Sequence, residues 1–234
     1  MHEIMLDPAM RARQSAERGG SPHVVKRLDP RRTAHVVIDM QNGFVEPGAT
    51  VECPLARDVV PALNRISRAL RDAGGTNVFV QFTTPREGRE NWSAFYERFT
   101  PEVAATHQAT FERGAHGWQL WPALDIDREV DAFIEKERFG AFIPGTCDLD
   151  TFLKARGIDT LIVTGTLTNV CCESTARDAM QLNYRTIFPA DANATLTDEM
   201  HNATLNSMAM VFADVMTADE IEALLVEARA DATA

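Results

Sequence analysis

The sequence predicts an α/β protein: a three-layer, Rossmann-like, doubly wound sheet, mostly parallel and of about six strands. Three observations predict it. Ala34-His35-Val36-Val37-Ile38-Asp39-Met40 is a nearly unbroken apolar, β-branched run, the mark of a strand covered on both faces. Val59, Leu63, Ile66 and Leu70 then recur at spacings of four, three and four before Gly74-Gly75, which is helical periodicity with a stop. The alternation of short apolar segments with helix-spaced ones continues to the end of the chain, and parallel strands joined in this way need right-handed crossovers.

In chain order, residues 1–32 carry charges throughout and hold no apolar core of the signal-peptide kind. They read as an arm or short helix lying on the surface or on a neighbouring subunit. A single domain is expected over 33–234. Its strands fall at 34–40, 77–83, 130–135, 159–164 and 184–189, with a short one at 214–216. Helices are expected at about 59–70, 198–212 and 218–229. After Cys171 the spacing also turns helical, with Cys172, Ala176, Ala179 and Met180 on one face and Glu173, Arg177 and Gln181 on another. The stretch at about 85–124 breaks the rhythm. It is an aromatic-rich insertion holding Trp92, Trp118 and Trp121 with Phe95, Tyr96, Phe99 and Phe111, a composition that serves a core or a subunit contact.

Charge and cysteine usage narrow the function. A formal net charge of −11 over 234 residues and a pI near 5.0 give no basic face for a nucleic acid or an anionic membrane. Cys53, Cys147, Cys171 and Cys172 form no CxxC pair, which fits a reducing cytoplasm rather than a disulfide scaffold.

In an open α/β sheet the ligand crevice lies outside the carboxyl ends of the strands. That rule selects Asp39 to Asn42 after the first strand, Lys136 after the third, and Thr166 to Cys171 after the fourth. An acid, a cation and a thiol therefore meet at one edge. Cys171 stands where a strand gives way to a helix, so unpaired N–H groups, the helix dipole and a nearby ammonium are expected to lower its pKa toward thiolate. Phe44 follows the first strand closely enough to wall the crevice. Trp118, just ahead of the lysine strand, is expected to contact substrate, as is Gln41.

The segments carrying these groups are Val37-Ile38-Asp39-Met40-Gln41-Asn42-Gly43-Phe44, Lys136-Glu137-Arg138-Phe139-Gly140-Ala141-Phe142, and Gly165-Thr166-Leu167-Thr168-Asn169-Val170-Cys171-Cys172-Glu173-Ser174-Thr175-Ala176-Arg177-Asp178. Together they resemble the isochorismatase-like cysteine hydrolase family over residues 33 to 217, and the turn Gly114-Ala115-His116-Gly117-Trp118 resembles the family's turn before the lysine strand. Within the family the cysteine block is most similar to N-carbamoylsarcosine and ureidoacrylate amidohydrolases. The resemblance implies the family fold and a catalytic triad of Asp39, Lys136 and Cys171. It also implies a cis Thr166–Leu167 peptide and an oxyanion hole from the Leu167 and Cys171 N–H groups. The implied reaction is cleavage of a small amide, of ureido or N-carbamoyl type, through a thioester with release of ammonia. Homodimers or homotetramers are implied as well.

Departures from the family shape the expectation. Relatives that hold a divalent metal carry an Asp-x-His pair, whereas here the second strand runs into Gln81-Phe82-Thr83-Thr84-Pro85-Arg86, so no metal or other cofactor is expected. Relatives that cleave the isochorismate vinyl ether need no thiol nucleophile, so Cys171 favours C–N bonds; an isochorismatase-type or other small-carboxamide hydrolase is the alternative. A redox protein using Cys171-Cys172 is a second alternative, although adjacent cysteines pair poorly. A dinucleotide-binding module is disfavoured because no GxGxxG follows the first strand.

Overall fold

The computed structural model describes residues 1–87 and 89–233. The chain opens with α1 (Pro8–Glu17), started by Pro8 and by the Asp7 carboxylate, which accepts the Ala9 N–H. There follow β1 (Thr33–Ile38), α2 (Asn42–Val45), α3 (Ala56–Asp72), β2 (Thr76–Phe82), α4 (Ser93–Tyr96), α5 (Pro101–Thr110), β3 (Ala132–Lys136), α6 (Leu149–Ala155) and β4 (Thr160–Thr166). After a π-helical turn (Thr168–Cys172) come α7 (Glu173–Gln181), β5 (Arg185–Pro189), β6 (Asn193–Ala194) and α8 (Asp198–Ser207). A second π-helical turn (Met208–Phe212), β7 (Asp214–Met216) and α9 (Ala218–Thr233) complete the chain.

The sheet runs β3-β2-β1-β4-β5-β7, every pairing parallel, with β6 added beside β4. It therefore has seven strands rather than six; a two-residue strand such as β6 is too short to show periodicity. Alternate residues face opposite layers. Val37, Phe79, Ile162 and Ile187 pack in one core cluster with Leu63, Ile66 and Leu70 of α3 and Ile221 and Leu225 of α9. Val36, Ile38, Val78, Val80, Leu161 and Val163 pack in the other, with residues of α6, α7 and α8. Both faces are covered, which is why the strands read as continuous apolar runs rather than alternating ones. No helix among the described residues is long and apolar enough to cross a membrane.

Several boundaries move for local reasons. The first strand stops at Ile38 because Asp39 turns to a left-handed φ of 53°. The third begins at Ala132, since Val130, 64% exposed, lies in the preceding turn. The helix expected over 198–212 is α-helical only to Ser207, and the residues after Cys171 become α-helical at Glu173.

Register sets the site. Ile38 lies beside Val80 on one side and Gly165 on the other, and Phe82 lies beside Lys136. Gly165 is required there: its φ is +118°, and a Cβ would lie 2.1 Å from the Ile38 carbonyl oxygen. Gly165→Ala is expected to destabilise by at least about 3 kcal/mol, a fall in Tm of roughly 6–12 °C in a thermal melt. A Tm equal to wild type would show that β1 and β4 can separate without cost.

Candidate active site

Three strand ends supply the reactive groups. Asp39 leaves β1 with its N–H bonded to the Val80 carbonyl at 2.9 Å, and its left-handed backbone redirects the chain at the sheet edge. A non-glycine residue in this region is uncommon, though Asp tolerates it better than most, and such outliers concentrate at functional sites. Lys136 is the last residue of β3. The turn carrying Cys171 follows β4, and the Thr166–Leu167 peptide ahead of it is cis.

Asp39 and Lys136 are both completely buried, with Lys136 Nζ 2.8 Å from Asp39 Oδ2. Lys136 Nζ also donates to the Arg138 carbonyl at 2.9 Å and lies 5.2 Å from the centre of the Phe82 ring. Neither carboxylate oxygen receives an aligned hydrogen bond from the described residues. Cys171, 5% exposed, stands beside both groups, and its thiol is placed to supply that bond. Burial raises the Asp39 carboxyl above its ordinary range, with the Lys136 ammonium offsetting only part of the effect. Burial also opposes the charge on Lys136, yet the Asp39 carboxylate and the neighbouring Cys171 hold its pKa above the ordinary lysine value.

The thiol corrects one expectation. Burial pushes Cys171 well up rather than down; Lys136 opposes this, but the Asp39 carboxylate adds to it. The backbone differs too. Cys172 N–H donates to the Leu167 carbonyl and Glu173 N–H to Thr168, each five residues back, so Cys171 lies in a π-turn ahead of the α-helix. The resting site thus holds Cys171 as a thiol beside the Asp39 carboxyl group.

A cavity of about 260 Å³ opens onto Cys171. Leu167 and Val170 line it from the turn, Phe44 and Val51 from the segment after β1, Phe82 from the end of β2, and Phe139 from the loop after β3. Phe95, Phe99, Val103 and His107 close it from α4, α5 and their connection. Sequence reasoning missed this last group, placing the 85–124 aromatics in a core or interface. No local periodicity marks them, because Phe95, Phe99 and His107 lie on two helices and their connection rather than on one helical face. Burial lowers His107 to a pKa of about 4, so it is neutral at physiological pH, and its Nδ1 has no partner among the described residues.

Two expected substrate contacts are elsewhere. Gln41 is fully buried and saturated: its Nε2 donates to the Phe82 and Trp118 carbonyls at 3.0 and 2.8 Å, and its Oε1 accepts the Phe82 N–H at 2.8 Å. Its amide is taken up in fixing Phe82 beside the ammonium. Trp118 does not line the cavity. Its indole N–H donates to Thr83 Oγ1 at 2.9 Å, and its carbonyl anchors Gln41 and Gln81. The turn at 114–118 is a strut: the His116 and Gly117 carbonyls accept from the Asn42 side chain and the Gly43 N–H. The structure brings together Asp39, Lys136, Cys171, Leu167 and Phe44, and leaves Gln41 and Trp118 behind them.

Among the described residues no cluster of three or more His, Cys, Asp or Glu is arranged to hold a metal ion. A larger cleft, about 750 Å³, lies by Arg27–Arg31 and α9, at the end of the sheet where β1 begins, away from the reactive groups.

The isochorismatase domain model matches residues 33–220. A probable inactive nicotinamidase of Arabidopsis thaliana is 32% identical, over 76% of this chain and 88% of its own. The ureidoacrylate amidohydrolase of Methylobacterium radiotolerans is 31% identical, over 88% of this chain and 85% of its own. The crystal structure of a cysteine hydrolase from Pseudomonas syringae pv. phaseolicola aligns with a TM-score of 0.77 at 28% identity, covering 86% of this chain and 95% of that one. With a family match over most of its length and the fold that goes with it, the chain belongs to the isochorismatase family of cysteine hydrolases.

Proposed function

We propose that the protein is an amidohydrolase that cleaves the C–N bond of a small planar amide through a thioester on Cys171, releasing ammonia. The observation that carries this reading is the buried Asp39–Lys136 pair, 2.8 Å apart, beside a thiol that opens onto an apolar cavity. Asp39 accepts the thiol proton as Sγ attacks the carbonyl carbon. The Leu167 and Cys171 N–H groups receive the oxyanion, a contribution typically about 3 kcal/mol per donor. Asp39 then passes its proton to the departing amine, which lets a poor leaving group depart as ammonia. Water, deprotonated by the same carboxylate, hydrolyses the thioester. Lys136 keeps Asp39 oriented and offsets the negative charge that moves between oxygen and sulfur. Because the thiol is favoured at rest, nucleophile formation is coupled to attack, and Asp39 is the group that must be ionised beforehand.

The cavity defines what surrounds the amide. Among the described lining residues none is charged at neutral pH, and five of the twelve are phenylalanines. A substrate carboxylate would lose its hydration there without gaining a cation. The favoured substrate is therefore a carboxamide or ureido compound whose remaining part is uncharged and apolar. In a panel scored by ammonia release, neutral aromatic or branched amides and ureides should exceed carboxylate-bearing ureido acids in kcat/KM by about tenfold or more. Faster turnover of the acids would overturn this substrate class while leaving the thiol chemistry standing. The vicinal-cysteine redox reading gains nothing, because Cys172 is fully buried in the core beneath the turn.

A further inference from the structure

Residues 1–7 run along α8, clipped by two asparagines one turn apart. Asn202 accepts from the Met5 N–H and donates to the Glu3 carbonyl, at 2.6 and 2.7 Å. Asn206 repeats the pattern with the Asp7 N–H and the Met5 carbonyl, at 2.8 and 3.1 Å. This clip lowers the His2 side chain, 1% exposed, into the interior, where its ring stacks on His201 with centroids 4.1 Å apart and planes inclined by 10°. His2 Nε2 accepts the Thr195 N–H at 3.0 Å, so the ring carries its proton on Nδ1 and donates it to Asp198 Oδ1 at 2.7 Å.

Two hydrogen-bond routes leave this stack and end in the π-turn. His201 Nε2 faces the Ala190 carbonyl at 3.0 Å and must donate to it, so its Nδ1 accepts the Thr168 hydroxyl at 2.9 Å. Burial, with His2 adding to it, lowers His201 to a pKa of about 4, keeping the ring neutral and that Nδ1 an acceptor. On the second route Thr195, whose N–H is held by His2, donates its hydroxyl to Asn169 Oδ1 at 2.6 Å. Thr168 and Asn169 lie three and two residues before Cys171. His201, Thr168 and Thr195 are completely buried, so a lost partner would be replaced poorly by water.

We propose that His2 is a positioning residue for Cys171: its imidazole, stacked on His201 and bonded to Thr195, fixes the Thr168–Asn169 half of the turn that aims the thiol and the Cys171 N–H. The distant amino-terminal segment thereby completes a site whose reactive groups all lie in the sheet domain. The proposal rests on the reading of Cys171 as nucleophile. Its experiment therefore includes a readout independent of turnover, the rate at which iodoacetamide alkylates the Cys171 peptide, followed by mass spectrometry.

The test compares wild type, His2→Ala and Asn206→Ala in the full chain, with and without added imidazole. In His2→Ala, kcat and the Cys171 alkylation rate should change together, kcat falling on the order of 10- to 100-fold as for other lost supporting partners, while KM stays within about twofold. Imidazole in the tens-of-millimolar range should refill the slot and restore most of the loss. Asn206→Ala, which loosens the clip but leaves the ring, should lower Tm and keep kcat near wild type. A folded His2→Ala with unchanged kcat and unchanged alkylation would overturn the proposal. So would a loss that imidazole fails to restore and that Asn206→Ala reproduces, since arm docking rather than the ring would then matter. If no amide is turned over at all, the amidohydrolase reading fails, and the alkylation rates still decide the role of His2.

Discussion

Cys171→Ala is expected to abolish turnover, by about four orders of magnitude or more, while Cys172→Ala retains most of it. The two thiols are neighbours in sequence but not in role. Cys171 opens onto the cavity beside Asp39 and Lys136, whereas Cys172 is wholly buried and packs with Val163, Ala176 and Leu205 in the core. Truncating Cys172 removes one sulfur from a packed layer and should cost about 1 kcal/mol, visible as a small fall in Tm. With a slow amide, mass spectrometry of wild type should find an acyl group on the peptide holding Cys171. Activity surviving in Cys171→Ala, or lost in a well-folded Cys172→Ala, would refute the assignment.

The second large effect separates the two halves of the buried ion pair. Asp39→Asn keeps the side-chain shape and its tolerance for a left-handed backbone, but removes the proton acceptor; kcat should fall by about 10³-fold with the fold intact. Lys136→Met removes the ammonium that partly offsets the cost of burying the Asp39 charge, so the carboxyl pKa rises further. Two consequences follow from that sign. In wild type the acid limb of kcat/KM should lie above the ordinary carboxylate range of about 3.9, because Asp39 must be ionised to accept the thiol proton. In Lys136→Met that limb should move to higher pH, and little activity should remain at neutrality. A raised folded pKa also means that protonated Asp39 favours the fold. Lys136→Met should therefore be most stable below the unfolded carboxyl pKa and lose stability as pH climbs through the folded value. The double variant Asp39→Asn/Lys136→Met should lose most of that pH dependence, since no buried charge is left unpaired, without regaining activity. An acid limb that stays put in Lys136→Met would show that Asp39 is not the titrating base.

The sequence by itself determined the architecture and the meeting of Asp39, Lys136 and Cys171 at one edge of the sheet. Continuous β-branched runs, helical repeats and their alternation specify a parallel sheet covered on both faces, and the strand-end rule then places Asp39, Lys136 and Cys171 together. These are short-range signals: each strand end is readable in place, and topology alone makes them converge. Tertiary structure decided what depends on enclosure. Whether Cys171 rests as thiol or thiolate turns on how completely it is desolvated, which no local pattern reports; burial outweighed the ammonium. Gln41 and Trp118 lay at the right depth in the sequence to meet a ligand, but their polar groups were already taken by Phe82, Thr83 and each other. The cavity wall came instead from Phe95, Phe99 and His107, in a segment without the strand–helix rhythm that makes the rest legible. His2 meets Thr195 and His201 where the arm lies along α8, held there by Asn202 and Asn206. Such contacts join residues nearly two hundred positions apart, and only the folded chain, by excluding water around them, decides which polar groups remain free to react.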